Sequence, residues 1–95
     1  MQAALENNER IRRATDLPPF FGNSSKDVVS ARMLIDRFET AAEVATWDTD
    51  ARKINNFKLL LRDRAILWWK QLAYNGVDIA VWDTVKQNFL KVYEP

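Results

Sequence analysis

Neither a cysteine nor a histidine occurs in these 95 residues, and the chain holds only two glycines and three prolines. Without cysteine there is no disulfide framework. Without either residue the common zinc sites and the Ser/His and Cys/His nucleophile arrangements are excluded. Gly22 and Gly76 stand alone, too few for a phosphate-cradling loop, and no P-loop, G-x-G-x-x-G or G-x-S-x-G motif is present. Charges nearly cancel, 14 basic residues against 13 acidic ones for a formal net charge of +1. No whole-chain field gathers nucleic acid or an anionic membrane. No apolar run approaches the roughly 20 residues that span a bilayer. Met1 to Asn8 has neither the charged start nor the apolar stretch of a signal peptide. The expectation is a cytoplasmic protein that is not an enzyme, needs no cofactor or metal, and has no membrane partner.

What is there is apolar and helical. Hydrophobic residues make up 47% of the chain and aromatic residues 12%, enough to bury a core and too many for a disordered chain. The first stretch, MQAALENNERIRRATD, has only Leu5 and Ile11 as sizeable apolar anchors and reads as an arm, or as an extra N-terminal helix of marginal stability, over residues 1–17. Pro18 and Pro19 block helix continuation, and Phe20, Phe21 and Gly22 after them read as a short extended lead-in ending in a turn. Asn23-Ser24-Ser25 matches a glycosylation sequon, but without a secretory signal it is better used to cap the next helix.

From Lys26 to Ala45 the residues Val28, Ala31, Leu34, Ile35, Phe38, Ala41, Ala42 and Ala45 recur at helical spacing with no glycine or proline between them. Arg32, Asp36, Glu39 and Glu43 run along the opposite side as a solvated face. Asp48 or Thr49 caps a second helix, whose stripe is Ile54, Phe57, Leu60 and Leu61. Arg62-Asp63 marks a tight junction into a third helix, Arg64 to Ala73, which Asn75-Gly76 ends. A fourth, from Val81 to Glu94, carries Trp82, Val85, Phe89 and Val92 or Tyr93 on one side. No segment alternates as a strand does. The predicted class is all-α, a compact bundle of four main helices behind an extended lead-in, with the domain running from residue 18 to 95 and Pro95 at a boundary.

The stretch AILWWKQL asks what two adjacent tryptophans are for. At about 100° per residue, Ala65, Trp68, Trp69 and Leu72 fall within one buried face, so both indoles read as core. Ile66 and Leu67 then point elsewhere, and Val29, Met33, Thr40 and Val44 make a weaker second stripe along the first helix. Such residues are either shoulders of the core or contacts with another subunit. Asp48 with Asp50, or Asp16 alone, has no partner that would make it an acid or base, and capping explains them. Arg52, Lys53, Lys58, Arg62, Arg64 and Lys70 form a locally basic stretch, but its aromatic residues belong to the buried stripe rather than alternating with the bases as a single-strand platform requires.

In order, the chain reads Phe20-Phe21-Gly22, Phe38-Glu39 with Ala42, Trp47-Asp48, Leu59 to Leu61, A-x-x-W-W-x-x-L from Ala65 to Leu72, and W-x-x-V-x-x-x-F-x-x-x-Y from Trp82 to Tyr93. Their order and spacing resemble the Gag capsid region of Ty3/gypsy-type long-terminal-repeat retrotransposons and of Arc-like domesticated relatives, over Leu17 to Pro95. Two features depart from that pattern: Asp63-Arg64 stands where the family often has a glycine, and Val81-Trp82 where it usually has Thr-Trp. The resemblance implies a retroviral-capsid-like N-terminal lobe that self-associates into shells, with Phe38, Trp68, Trp69, Trp82 and Phe89 structural. It also implies that RNA is handled only by segments outside these residues. The candidate self-association residues are Val29, Met33, Thr40 and Val44. The alternative that it implies is a peptide-binding module whose hydrophobic groove lies beside Pro18, Pro19, Phe20 and Phe21.

Overall fold

The structure is a computed structural model, and it describes residues 15–94. The possible N-terminal helix, most of the arm and the boundary read at Pro95 lie outside them. The described residues form a compact all-α globule of four helices: α1 (Ala31–Ala45), α2 (Asp50–Lys58), α3 (Arg64–Tyr74) and α4 (Trp82–Tyr93). No helix among them is long and apolar enough to cross a membrane.

Helix α1 begins five residues later than its apolar period suggests. Ser30 is the N-cap, its side chain accepting from the Met33 N–H. The expected cap, Asn23, instead closes a local turn: its Oδ1 accepts from the Ser25 amide at 3.1 Å and the Ser25 hydroxyl at 2.8 Å. Asp27 has a similar preference for nearby backbone, accepting from Phe21 N at 2.6 Å and Asn23 N at 3.0 Å. Short polar side chains that bond the local backbone compete with helix formation, and this competition keeps residues 23–29 out of α1. Val28, read from sequence as part of the core stripe, is consequently 76% exposed.

Thr49 caps α2, its hydroxyl accepting from Arg52 N at 3.2 Å. That helix ends at Lys58, so Leu60 and Leu61 lie beyond it. Leu61 still reaches the core, because it makes a parallel bridge with Phe20: Phe20 N donates to Leu60 O at 2.8 Å, and Arg62 N donates to Phe20 O at 2.8 Å. The α2–α3 junction is tight, as expected. Ala65 N donates to Arg62 O at 3.0 Å around Asp63, whose φ of 51° and ψ of −119° belong to the first central position of a type II′ turn. Gly76, at φ 81°, ends α3 with Val77 N bonded back to Leu72 O.

Each helix gives one face to a single core in which Leu34, Ile35, Phe38, Phe57, Val85 and Phe89 are fully buried. Aromatic rings run through it in contact: Phe38 lies 5.2 Å from Phe57 and 5.0 Å from Trp82, and Phe89 lies 5.2 Å from Phe57 and 5.0 Å from Phe20. Most of these pairs meet edge to face, the arrangement that puts a positive ring edge against a negative face and adds about 0.5–1.5 kcal/mol per pair beyond area burial.

Candidate functional site

The two tryptophans of AILWWKQL divide. Trp68 is 8% exposed and packs against Phe89 and Tyr93. Its indole Nε1 has no hydrogen-bond partner among the described residues, so within them this ring is held by apolar packing. Trp69, expected in the core, is only half-buried, with its ring 6.3 Å from that of Trp68. The backbone is the reason, since one helical step of about 100° moves Trp69 to the rim of the face that Ala65, Trp68 and Leu72 share. Phe38, Trp82 and Phe89 are buried.

Trp82 has a polar contact: its Nε1 donates to Glu39 Oε2 at 3.2 Å, and Lys86 Nζ reaches the same oxygen at 3.2 Å. Glu39 therefore does not belong to a solvated face, as its spacing suggested. It clips α1 to α4 from within a half-buried site. Arg32 joins the same two helices at their outer ends, its Nε and Nη2 meeting the Glu94 carboxylate at 2.7 and 3.1 Å. The hydrogen bonds and charge of that guanidinium hold the Glu94 carboxyl below its ordinary range, and Glu94 in turn raises Arg32. The Tyr93 phenol is pushed up by burial first and by the Asp27 charge second.

The lead-in segment is pinned in place. Phe20 is buried, Pro18 and Phe21 are half-buried, and Pro19 is exposed. The Lys26 ammonium stands 5.6 Å over the Phe21 ring, and Phe21 O accepts from Ala65 N. Phe20 thus fills the space between α4 and the α2–α3 junction. A shallow groove of about 660 Å³ remains outside it, bordered by Val28, Val29, Val92 and Tyr93.

The stripe proposed for self-association is not continuous. Val29 precedes α1 and is half-buried against the core, so core packing accounts for it. Met33 is 46% exposed, Thr40 is exposed with its hydroxyl bonded to Asp36 O, and Val44 is half-buried. The exposed Arg37 stands between Met33 and Thr40 on the same face. Leu67, expected to point away from the tryptophan face, does so, and Tyr74, which the sequence did not single out, joins it. Leu67 and Tyr74, seven residues apart and so on one side of α3, are 59% and 92% exposed.

The basic stretch is dispersed over α2, the junction and α3. Arg52 pairs with Asp48 at 3.7 Å, and Arg62 bonds the carbonyls of Leu59 and Leu61. Comparison with family profiles, with curated proteins and with solved structures finds no match for the chain.

Proposed function

We propose that this domain is a structural module that self-associates, in the manner of the capsid N-terminal lobe its sequence resembles, and that its function is to make repeated weak contacts with copies of itself. Support comes from the sequence motifs and from one structural observation: the core closes using a single face of each helix, while Leu67 and Tyr74 on α3 and Met33 on α1 stay outside it. Apolar side chains beyond the needs of the core suit contacts that are small individually and add up when repeated around a closed assembly. The contact faces are then the outer sides of α1 and α3.

Met33→Glu and Leu67→Glu test this directly, since both positions are exposed and a charge there leaves the core intact. Each variant should keep the helical circular dichroism of the parent and weaken association seen by sedimentation, and together they should abolish it. Association equal to the parent in the folded double variant would remove these faces from the account.

The peptide-binding reading is the lesser one. The ring that a ligand would bring beside the lead-in segment is supplied by Phe20 of the chain itself.

A further inference from the structure

The outer sides of α1 and α3 differ in charge. Helix α3 contains no acidic residue, and its exposed side sets Leu67 and Tyr74 between Lys70 on one edge and Gln71 with Arg64 on the other. The exposed side of α1 sets Met33 and Thr40 between Asp36 and Glu43 on one edge and Arg37 on the other. None of Asp36, Arg37, Glu43, Arg64 and Lys70 forms an ion pair among the described residues, where the pairs are Lys26–Asp63, Arg32–Glu94, Arg52–Asp48 and Lys86–Glu39. Their charges are uncommitted.

An isologous contact sets a patch against its own copy. On α3 that would bring Arg64 and Lys70 of one chain against the same two bases of the other, with no carboxylate on the helix to offset them. The outer side of α3 therefore needs a partner face with spare acids. The outer side of α1 has them, and its spacing fits: Met33 and Thr40 are seven residues apart, as are Leu67 and Tyr74, so each pair spans about 10.5 Å at about 1.5 Å per residue.

Orientation follows from the edges. Turned end for end on α1, α3 lays Tyr74 on Met33 and Leu67 on Thr40, brings Lys70 beside Asp36, and leaves the neutral Gln71 beside Arg37. Glu43 then falls beside the N-terminal turn of α3, the helix end that favours a negative charge. Packed parallel with Leu67 on Met33, the edges exchange and Lys70 stands against Arg37. Only the antiparallel arrangement avoids a clash of like charges there.

We propose that self-association is heterologous, with the outer side of α3 of one copy packed antiparallel on the outer side of α1 of the next, Tyr74 on Met33 and Lys70 beside Asp36. This contact rests on the self-association reading and gives it a geometry. Each end copy keeps one free α1 face or one free α3 face, so growth continues past a dimer until a ring closes or a filament runs on.

Mixing single variants tests the contact. Met33→Glu blocks the α1 half and leaves α3 intact, whereas Leu67→Glu does the converse, and circular dichroism matching the parent verifies that both are folded. At a concentration where the parent associates, sedimentation equilibrium should find each variant alone near the monomer mass. Their equimolar mixture should rise toward twice that mass and stop there, because a single unblocked pair of faces remains. Lys70→Glu should also weaken association, and Asp36→Lys added in the same chain should restore it. If each blocked variant still dimerises alone, if the mixture weighs no more than its components, or if the charge exchange restores nothing, the heterologous contact is wrong although the parent associates. A parent that stays monomeric at every concentration removes the self-association reading itself, and this contact with it.

Discussion

Replacing Asp63 with glycine should make the protein more stable, although it deletes an ion pair. Asp63 sits at φ 51° and ψ −119°. This is the position of a type II′ turn that glycine occupies without steric cost and that places an L-residue's Cβ in conflict with its own backbone. Aspartate is tolerated in the left-handed helical region, but a ψ near −119° lies far outside it. Holding a residue in such a conformation costs about 1–3 kcal/mol. Against this relief stand two losses. The Lys26–Asp63 pair spans 3.2 Å with both side chains more than half exposed, which makes it worth about 0–1 kcal/mol. Glycine also makes the unfolded chain freer, by about 0.4–1 kcal/mol. Relief should win by about 1 kcal/mol, which for a domain of this size raises Tm by about 4–8 °C. Asp63→Ala is the control, since it loses the same ion pair while keeping the strained Cβ. Thermal denaturation followed by circular dichroism should rank glycine above the parent and alanine at or below it. If glycine and alanine variants melt together below the parent, the turn is not strained and the carboxylate is what matters.

Thr46 offers a second case of the same physics. A β-branched residue ends α1 in the left-handed conformation, at φ 60°, so Thr46→Gly should raise the urea midpoint by an amount corresponding to about 0.5–1 kcal/mol. Trp68→Ala should cost about 3–5 kcal/mol and leave the domain largely unfolded, whereas Trp69→Ala, at the rim, should remain cooperative in the same urea titration with a smaller loss. Because the Glu94 carboxyl is held low when folded, its pairing with Arg32 contributes stability above the ordinary carboxylate range and loses it as pH falls through the folded value. The Tm difference between parent and Glu94→Gln should therefore be positive near neutrality and vanish in acid.

The helices were legible because their signals are local and redundant. Phe38, Val85 and Phe89 repeat at helical spacing, Thr49 caps a run that needs a cap, and Asn75-Gly76 ends α3 where a positive φ is required. The start of α1 was not legible from its apolar period, which runs through Val28 without a break. A better signal was present in Ser30, which follows the β-branched pair Val28-Val29 and sits where an N-cap belongs. The Phe20–Leu61 bridge and the Glu39–Trp82 bond join residues 41 and 43 positions apart, and no spacing rule reaches that far. The surface was harder still. Met33 and Val29 look equivalent as shoulders of a stripe, and only the packed structure separates the exposed one from the half-buried one. Leu67 was legible as lying off the tryptophan face, whereas Tyr74, at the last turn of α3, gives no signal in its spacing that separates it from the end of the buried stripe.

Sedimentation equilibrium of the parent chain over a wide concentration range tests the central claim most directly. A self-associating module should show a weight-average mass at the monomer value in dilute solution that climbs reversibly as concentration rises, and that climb should flatten in the Met33→Glu, Leu67→Glu double variant. A mass fixed at the monomer value throughout, with the helical fold intact, would contradict the account.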